Sequence, residues 1–286
     1  MKRRVLVVLT VLALTVAAAG CDWRTIDPPG AVPLRYRDKI FGTVVKTSDI
    51  EYGTATNLSH QSITLTLDMY EPKNDTVTKR PVIVWVHGGS FSSGDKTSPE
   101  LVDEANTFSK KGYVNVSINY RLEPEGCSAA APTTQCIEAI KEATADAQTA
   151  VRWLRTNATK YRIDPTRIAI GGSSAGAITA LDVGYDTSEN PASGVRAAVA
   201  LSGANILTPI SRGDAPALMF HGSADMVVPY AWAARTLFVA RRAGLDAFLT
   251  SWPGEGHVPY LENRTQVLRE TRDFLYWEMG LSDAEV

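Results

Sequence analysis

The stretch that decides the fold is residues 167–176, which read Arg-Ile-Ala-Ile-Gly-Gly-Ser-Ser-Ala-Gly. An apolar run enters the pattern Gly-x-Ser-x-Gly and helix formers follow it, which predicts a strand that turns sharply into a helix. Glycines two residues before and after Ser174 leave room for such a turn. The turn would hold Ser174 out at the end of the strand, where a helix N-terminus adds unpaired N–H groups that suit an oxyanion. An ordinary loop of glycines and serines is the alternative.

Strand and helix patterns alternate on both sides of this stretch. Pro81 to Val86 is apolar on both faces, which is typical of a strand covered by helices on both sides of a parallel sheet. Phe41 to Val45 and Ile63 to Tyr70 suit an antiparallel edge. Later strands are predicted at Val114 to Asn119, Arg167 to Ile170, Val195 to Leu201, Ala217 to Phe220 and Phe248 to Trp252. Helices are predicted at Ser98 to Lys111, Ile137 to Tyr161, Ala177 to Gly184, Tyr230 to Ala243 and Tyr260 to Met279. The sequence predicts an α/β fold with a mainly parallel sheet and helices on both faces.

A serine nucleophile needs a base, and the base must be oriented by an acid. The chain has four histidines. His257 lies in a loop after the last predicted strand and suits the role of base. His87 and His221 each precede a glycine directly after a strand, which indicates that they shape loops, and His60 lies in a polar loop.

Asp225 is the candidate for the acid, because it follows a predicted strand and precedes His257. Asp214 and Asp246 lie before their strands. The ends of parallel strands share one edge of a sheet, so Ser174, Asp225 and His257 are expected to meet there. A solvated loop carboxylate is the alternative role for Asp225.

Negative charge that develops on a reacting carbonyl oxygen needs hydrogen-bond donors. Gly88 and Gly89 follow a buried strand and allow their N–H groups to approach a substrate, and the N–H of Ala175 adds a third donor. A plain glycine turn is the alternative for the glycine pair.

Six segments together resemble the α/β-hydrolase esterases, close to the carboxylesterase and hormone-sensitive-lipase-like groups. The segments are His87-Gly88-Gly89, Asn119-Tyr120-Arg121-Leu122, Asp164-Pro165-x-Arg167-Ile168, Gly171 to Gly176, His221-Gly222-x-x-Asp225 and Gly256-His257. The resemblance implies the α/β-hydrolase fold. It also implies roles for Ser174 as nucleophile, His257 as general base and then acid, Asp225 as orienting carboxylate, and Gly88, Gly89 and Ala175 as oxyanion donors.

Two departures from the lipase-like pattern point to the broader carboxylesterase type. Ser90 stands where a third glycine is usual, and Ala177 stands where another glycine often follows the serine motif. The resemblance also implies that Asp146 is a structural anchor. Arg121 is expected to brace the loop after its strand, and Phe91 either lines the substrate pocket or packs in the core.

The predicted activity is hydrolysis of a small-molecule carboxylic ester through an acyl-enzyme, with no cofactor and no metal. Residues Ser202 to Asp214 leave no room for a large cap, so we expect an open site unless the loop from Leu122 to Gln135 covers it. An open site favours small or surface-presented acyl esters. A carbohydrate esterase acting on acetyl or feruloyl groups, and a noncatalytic surface binding protein on a hydrolase scaffold, are the alternatives.

The N-terminus has the pattern of an export signal. Lys2-Arg3-Arg4 precede an uncharged run from Val5 to Ala19, which is short for a membrane span. The run ends at Ala18-Ala19-Gly20-Cys21, which resembles a bacterial lipobox, so residues 1–20 are predicted to be a lipoprotein signal, 21–35 a tether and 36–286 the catalytic domain. A lipid on Cys21 would anchor the exported protein to the cell membrane. Cleavage at an ordinary site, which would give a secreted soluble protein, is the alternative.

Composition narrows the remaining possibilities. The chain has 29 Lys plus Arg against 31 Asp plus Glu, a balance that gives no reason to expect nucleic-acid binding. It indicates no particular oligomeric state. Cys127 and Cys136 remain once Cys21 is set aside, and an even remainder in an exported protein predicts a disulfide. Metal ligation and two free thiols are the alternatives for this pair.

Overall fold

A computed structural model describes residues 32–127 and 132–282 of the chain. The predicted signal segment, Cys21 and most of the predicted tether lie outside the described residues. The strands are β1 Val44–Thr56, β2 Ser62–Pro72, β3 Arg80–Val86, β4 Val114–Ile118, β5 Ile163–Ser173, β6 Ala197–Leu201, β7 Ala217–Gly222 and β8 Ala247–Trp252. The helices are α1 Pro99–Ser109, α2 Thr134–Thr156, α3 Ala158–Tyr161, α4 Ala175–Gly184, α5 Tyr230–Arg242 and α6 Tyr260–Glu278.

The eight strands form one sheet in the order β1-β2-β4-β3-β5-β6-β7-β8. Strands β3 to β8 run parallel to one another. Strand β2 is antiparallel to both of its neighbours, β1 and β4. The predicted parallel sheet with an antiparallel edge is confirmed. Its register brings the carboxyl ends of β5, β6, β7 and β8 side by side.

Helices cover both faces of the sheet, and each face has its own apolar core. Val82, Val84 and Val86 of β3 pack on the face that carries α2 and α4, whereas Ile83 and Trp85 pack on the face that carries α1 and α6. Because side chains alternate between faces along a strand, a strand covered on both sides must be apolar throughout. This packing is the physical reason for the unbroken apolar run that marks β3 in the sequence.

Most elements differ from the sequence prediction by a few residues at their ends, and two differ in a way that has a clear physical reason. The first strand runs over Val44–Thr56 instead of Phe41 to Val45. It is an edge strand with mostly exposed side chains, so its polar residues carry no alternating apolar signal. The helix predicted over Ile137 to Tyr161 is divided at Asn157 into α2 and α3. Among the described residues, no helix combines the length and the apolar character needed to span a membrane.

Candidate active site

The turn between β5 and α4 places Ser174 at the carboxyl end of the sheet. Ser174 has φ 53°, in the left-handed region that L residues rarely adopt. A Cβ atom on Gly172 would lie 2.4 Å from the carbonyl oxygen of Val86, and one on Gly176 would lie 1.9 Å from it. The backbone at the end of β3 therefore packs directly against the turn, and glycine is required on both sides of the serine.

Three side chains from separate strand ends meet at this turn. The Nε2 atom of His257 lies 2.7 Å from the Oγ atom of Ser174, and its Nδ1 atom lies 2.8 Å from the Oδ2 atom of Asp225. The imidazole can accept the serine proton at one nitrogen while the other nitrogen donates to the carboxylate. The structure thus brings the three predicted catalytic residues into hydrogen-bond contact, and their catalytic roles stay predictions.

Close backbone packing between two loops brings Asp225 to His257. A Cβ atom on Gly222 would lie 2.2 Å from the carbonyl oxygen of Gly256, so only a glycine allows this approach. The N–H of Ala224 donates to the carbonyl oxygen of Glu255 at 2.9 Å. The loops that follow β7 and β8 are thus held together by backbone contacts, in addition to the contact between the side chains of Asp225 and His257.

Asp225 is buried and surrounded by donors. Its Oδ1 atom accepts hydrogen bonds from the N–H groups of Val227 and Val228 at 2.8 and 3.0 Å. Burial pushes the pKa of Asp225 upward, but the hydrogen bonds from His221, His257 and Val227 outweigh it, and the pKa lies well below its usual range. The carboxyl therefore stays ionised at neutral pH and can stabilise a protonated imidazole.

His221 and Ser202 contact the residues and loops of the site. These contacts were not predicted from the sequence. His221 is fully buried, and its Nε2 atom lies 2.8 Å from the carbonyl oxygen of Val228 and 3.1 Å from the Oδ2 atom of Asp225. The Oγ atom of Ser202 accepts from the N–H of Val258, next to His257, at 3.0 Å. Both residues lie at strand ends on the same edge of the sheet, which is the signal that could have found them.

Two of the predicted oxyanion donors, Gly88 and Ala175, lie next to Ser174. A Cβ atom on Gly88 would be 3.2 Å from the Cβ atom of Ser174, so Gly88 packs against the turn that carries Ser174. Gly89 has φ +113° and starts a tight turn in which its carbonyl accepts from the N–H groups of Ser92 and Ser93. Ala175 is the first residue of α4, where no preceding helical carbonyl can accept its N–H. These positions suit a site for an oxyanion.

His87 shapes this loop, as the sequence indicated. Its ring stacks on Tyr120 with centroids 4.3 Å apart, and its Nδ1 atom lies 2.7 Å from the carbonyl oxygen of Gly88. The hydroxyl of Tyr120 donates to the carbonyl oxygen of His87 at 3.0 Å. Burial lowers the pKa of His87, so the ring is neutral at neutral pH and serves as a packing element.

A second loop, which begins at Leu122, contacts residues 87–91, the predicted oxyanion loop. The N–H groups of Glu123 and Cys127 donate to the carbonyl oxygens of Phe91 and Ser90, each at 2.8 Å. Cys127 is joined to Cys136 by a disulfide, which confirms the predicted pairing over metal ligation and free thiols. The disulfide therefore joins this second loop to the first turn of α2. The described residues contain no cluster of three metal-ligating side chains.

Arg121 and Asp146 fix the start of that second loop. The Asp146 carboxylate accepts from the backbone N–H of Arg121 at 2.8 Å and from the Nη2 atom of its guanidinium at 2.7 Å. Both side chains are largely buried. The predicted anchoring role of Asp146 and the predicted bracing role of Arg121 agree with these contacts.

A small apolar cavity of about 50 Å³ opens beside Ser174. Its lining residues are Ser90, Phe91, Cys127, Pro132, Cys136, Ile140, Ser174, Ala175, Ile178, Ile206, Val227, Val228 and Trp232. The described ends of the loop from Leu122 to Gln135 contribute Cys127 and Pro132 to this wall. Phe91 is buried and also lines the cavity, and so it has both of the roles considered for it.

Comparisons with known proteins agree with this fold. The BD-FAE family model matches residues 67–200. Esterase 2 from Thermogutta terrifontis, solved phosphoramylated by tabun, superposes with a TM-score of 0.66 at 22% identity, over 80% of this chain and 93% of that chain. The same esterase with butyrate bound also gives a TM-score of 0.66, at 22% identity over 79% of this chain and 92% of that one. The chain has the α/β-hydrolase fold.

The curated relatives match over part of their length. Phenmedipham hydrolase from Pseudarthrobacter oxydans is 36% identical over 114 residues, which are 40% of this chain and 21% of that protein. Chlorogenic acid esterase from Aspergillus niger is 28% identical over 144 residues, which are 49% of this chain and 27% of that protein. Carboxylesterase NlhH from Mycobacterium tuberculosis is 36% identical over 96 residues, which are 34% of this chain and 26% of that protein. The chain therefore spans less than a third of each of these three relatives.

Proposed function

We propose that this chain is a serine esterase that hydrolyses small carboxylic esters through an acyl-enzyme. The observation that carries the proposal is the contact of His257 Nε2 with Ser174 Oγ at 2.7 Å, with Asp225 on the opposite ring nitrogen at 2.8 Å. A hydroxyl, an imidazole and a carboxylate in this order are what acyl transfer to serine requires. The names of the relatives, two esterases and a hydrolase, support ester bonds as the target.

In the first half of the reaction Ser174 attacks the ester carbonyl while His257 Nε2 takes its proton. The tetrahedral oxyanion would accept hydrogen bonds from the N–H groups of Gly88, Gly89 and Ala175, and loss of one such donor typically costs about 2.7 to 4 kcal/mol. The protonated imidazole then gives its proton to the leaving alcohol. An acyl group remains on Ser174 Oγ.

In the second half a water replaces the alcohol. His257 takes a proton from this water, the resulting hydroxide attacks the acyl carbonyl, and the proton returns to Ser174 as the acid leaves. Asp225 stabilises the imidazolium in both halves and keeps the Nδ1 proton in place. Its lowered pKa suits this task, because a carboxyl that stays ionised can pair with the cation throughout the working pH range.

The cavity beside Ser174 supports a small acyl group as the substrate. It has a volume of about 50 Å³ and is walled by apolar side chains, among them Ile140, Ile178 and Ile206. A short acyl chain fits such a space, whereas a long one would have to extend beyond it. The butyrate bound to esterase 2 of Thermogutta terrifontis is a ligand of comparable size in a protein of the same fold.

The test compares the wild type with Ser174→Ala on 4-nitrophenyl acetate, butyrate and octanoate. We expect kcat to fall by about 10⁴-fold or more, because the nucleophile is lost. Ser62→Ala, which changes an exposed serine at the start of β2, is the matched control and should retain wild-type rates. A fluorophosphonate should phosphonylate Ser174 Oγ with loss of fluoride, so the peptide that contains Ser174 should gain the mass of the phosphonyl group in the wild type only. Equal turnover by Ser174→Ala would reject the proposal, and no turnover of any ester by the wild type would favour a noncatalytic binding protein.

We also propose that the exported protein is held on the cell membrane by a lipid on Cys21. The support is the sequence pattern of residues 1–21, which lies outside the described residues. Mass spectrometry of the mature N-terminus tests this proposal. An unmodified terminus downstream of Cys21 would show that the protein is secreted without an anchor.

A further inference from the structure

A second cavity of about 410 Å³ continues from the one beside Ser174. The two cavities share Pro132, Ile206 and Trp232 as lining residues. The second cavity is bounded by residues 205–210, which follow β6, and by one face of α5. Because the two cavities share these side chains, a substrate whose carbonyl carbon lies at Ser174 is placed next to this larger space.

The wall formed by residues 205–208 is rigidly built on Asp182, a fully buried carboxylate of α4. The Oδ1 atom of Asp182 accepts from the N–H groups of Ile206 and Leu207 at 3.1 and 3.0 Å and from the side-chain amide of Asn205 at 2.9 Å. The N–H of Asn205 donates to the Oγ1 atom of Thr236 on α5 at 3.0 Å. These bonds fix the wall to both helices, so the cavity exists before any substrate enters it.

Arg235 gives this cavity its charge. Among the described lining residues it is the one charged side chain, and none of them is acidic. Within residues 32–127 and 132–282, no carboxylate lies within ion-pair distance of its guanidinium. Arg235 follows Trp232 by three positions on α5, so the two side chains lie on the same face of the helix, about one turn apart. The cavity beside Ser174 is thus lined mostly by apolar side chains, and the second cavity adds an exposed cation.

We infer that this cavity is a subsite for a carboxylate carried by the substrate, and that the enzyme prefers esters with a negative charge several bonds away from the reacting carbonyl. The inference rests on the proposed esterase function. A guanidinium presents paired N–H donors that match the two oxygens of a carboxylate. The apolar side chains of Ile206 and Trp232, which line both cavities, suit a hydrocarbon or aromatic spacer between the ester and the charge.

The experiment uses two pairs of esters, because the carboxylate could belong to either half of the substrate. The first pair is the mono-4-nitrophenyl ester of suberic acid and neutral 4-nitrophenyl octanoate, which place the charge on the acyl half. The second pair is 4-acetoxybenzoate and neutral 4-acetoxybenzamide, which place it on the alcohol half. The wild type is expected to show the lower KM for the charged member of one pair, and that pair identifies the half that enters the subsite.

Arg235→Gln should raise KM for that charged ester about fivefold to tenfold and leave its neutral partner unchanged. Arg242→Gln, which changes another exposed arginine of α5 outside the cavity, is the matched control and should change neither. Equal KM values for charged and neutral esters in both pairs, or equal effects of Arg235→Gln on both members, would overturn the inference.

A binding measurement separates this inference from the proposed function. The monomethyl ester of suberic acid is titrated calorimetrically into Ser174→Ala and into the double variant Ser174→Ala/Arg235→Gln, in which no turnover is required. Binding that weakens about fivefold to tenfold in the double variant supports the subsite even if the wild type hydrolyses no ester. Identical affinities in the two variants, both for this ligand and for 4-acetoxybenzoate titrated in the same way, would reject the subsite even if ester hydrolysis is established.

Discussion

The edge of the sheet that carries Ser174, Asp225 and His257 and the wall of the cavities beside it are built in different ways. Ser174, Asp225 and His257 each follow a strand of the parallel sheet, and the strand register brings them together through the pairs Ser173 with Leu201 and Gly222 with Trp252. The cavity wall comes from the segment around the disulfide, from residues 205–210 and from α5. The Cys127–Cys136 disulfide holds the first of these segments, and the Asp182 carboxylate holds residues 205–208.

This difference predicts two kinds of mutational effect. At the sheet edge the backbone is fixed by many strand hydrogen bonds, so a substitution there removes chemistry while the fold remains. On the wall a single carboxylate or disulfide positions a whole segment, so a substitution changes stability and substrate selection. Four variants test this contrast, and Asp225→Asn is expected to have the largest effect.

Asp225→Asn is expected to lower kcat by about 10⁴-fold for short and long esters alike, because the carboxylate no longer fixes the His257 Nδ1 proton or stabilises the imidazolium. Steady-state kinetics on the three 4-nitrophenyl esters measures the effect, and circular dichroism checks that the fold is retained. Asp246→Asn, at an exposed aspartate in the turn before β8, should keep full activity. A loss below tenfold would mean that Asp225 is not the orienting acid.

Cys127→Ser/Cys136→Ser is expected to lower the free energy of unfolding by about 2–4 kcal/mol, because the open chain gains conformational entropy when unfolded. The N–H of Cys127 holds the carbonyl oxygen of Ser90, so kcat should also fall, by about tenfold. Denaturant titration and ester kinetics provide the two measurements. Reductant should reproduce both losses in the wild type and leave the double variant unchanged. An unaltered kcat would show that Glu123 and Tyr120 hold the oxyanion loop without the disulfide.

Asp182→Asn is expected to change how stability depends on pH. Burial raises the pKa of Asp182 to about 7, above its value in the unfolded chain, despite the N–H groups that donate to it. The folded state keeps this proton where the unfolded state has lost it, so the contribution of Asp182 to stability falls as the pH rises towards 7. Asparagine keeps the Oδ1 acceptor and removes the ionisation.

From about pH 5 to about pH 7 the free energy of unfolding of Asp182→Asn should therefore rise relative to the wild type by about 2 kcal/mol. Urea unfolding at a series of pH values measures it. Asp246→Asn again serves as the control, with a difference that stays flat over this range. A constant difference between Asp182→Asn and the wild type would show that Asp182 titrates normally.

Ile206→Ala is expected to have the smallest effect, a change in selectivity. Removing this side chain enlarges the cavity beside Ser174, so the ratio of kcat/KM for octanoate to that for acetate should rise about threefold to tenfold. Leu237→Ala, on α5 but outside the lining of that cavity, is the control and should leave the ratio unchanged. An unchanged ratio for Ile206→Ala would mean that acyl chains do not occupy this cavity.

The sequence by itself determined the parallel sheet and the positions of the predicted catalytic residues after its strands. Strands covered on both faces must be apolar throughout, as β3 is, and the glycines around Ser174 mark a turn with no space for side chains. Each signal is local, so it can be recognised without knowing the rest of the fold. The exposed edge strand β1 carries no such signal, and its predicted boundaries were wrong.

Only the tertiary structure decided how the site is supported and what surrounds it. The contact of His221 with Asp225 depends on one particular turn. The hydrogen bonds from residues 205–208 to Asp182, and the place of Arg235 in the lining of the second cavity, bring together segments that are distant in sequence. Such contacts depend on the three-dimensional path of the chain, which residue type and spacing do not specify. A buried carboxylate looks the same in a sequence whether it anchors a loop, orients a histidine or packs against an arginine.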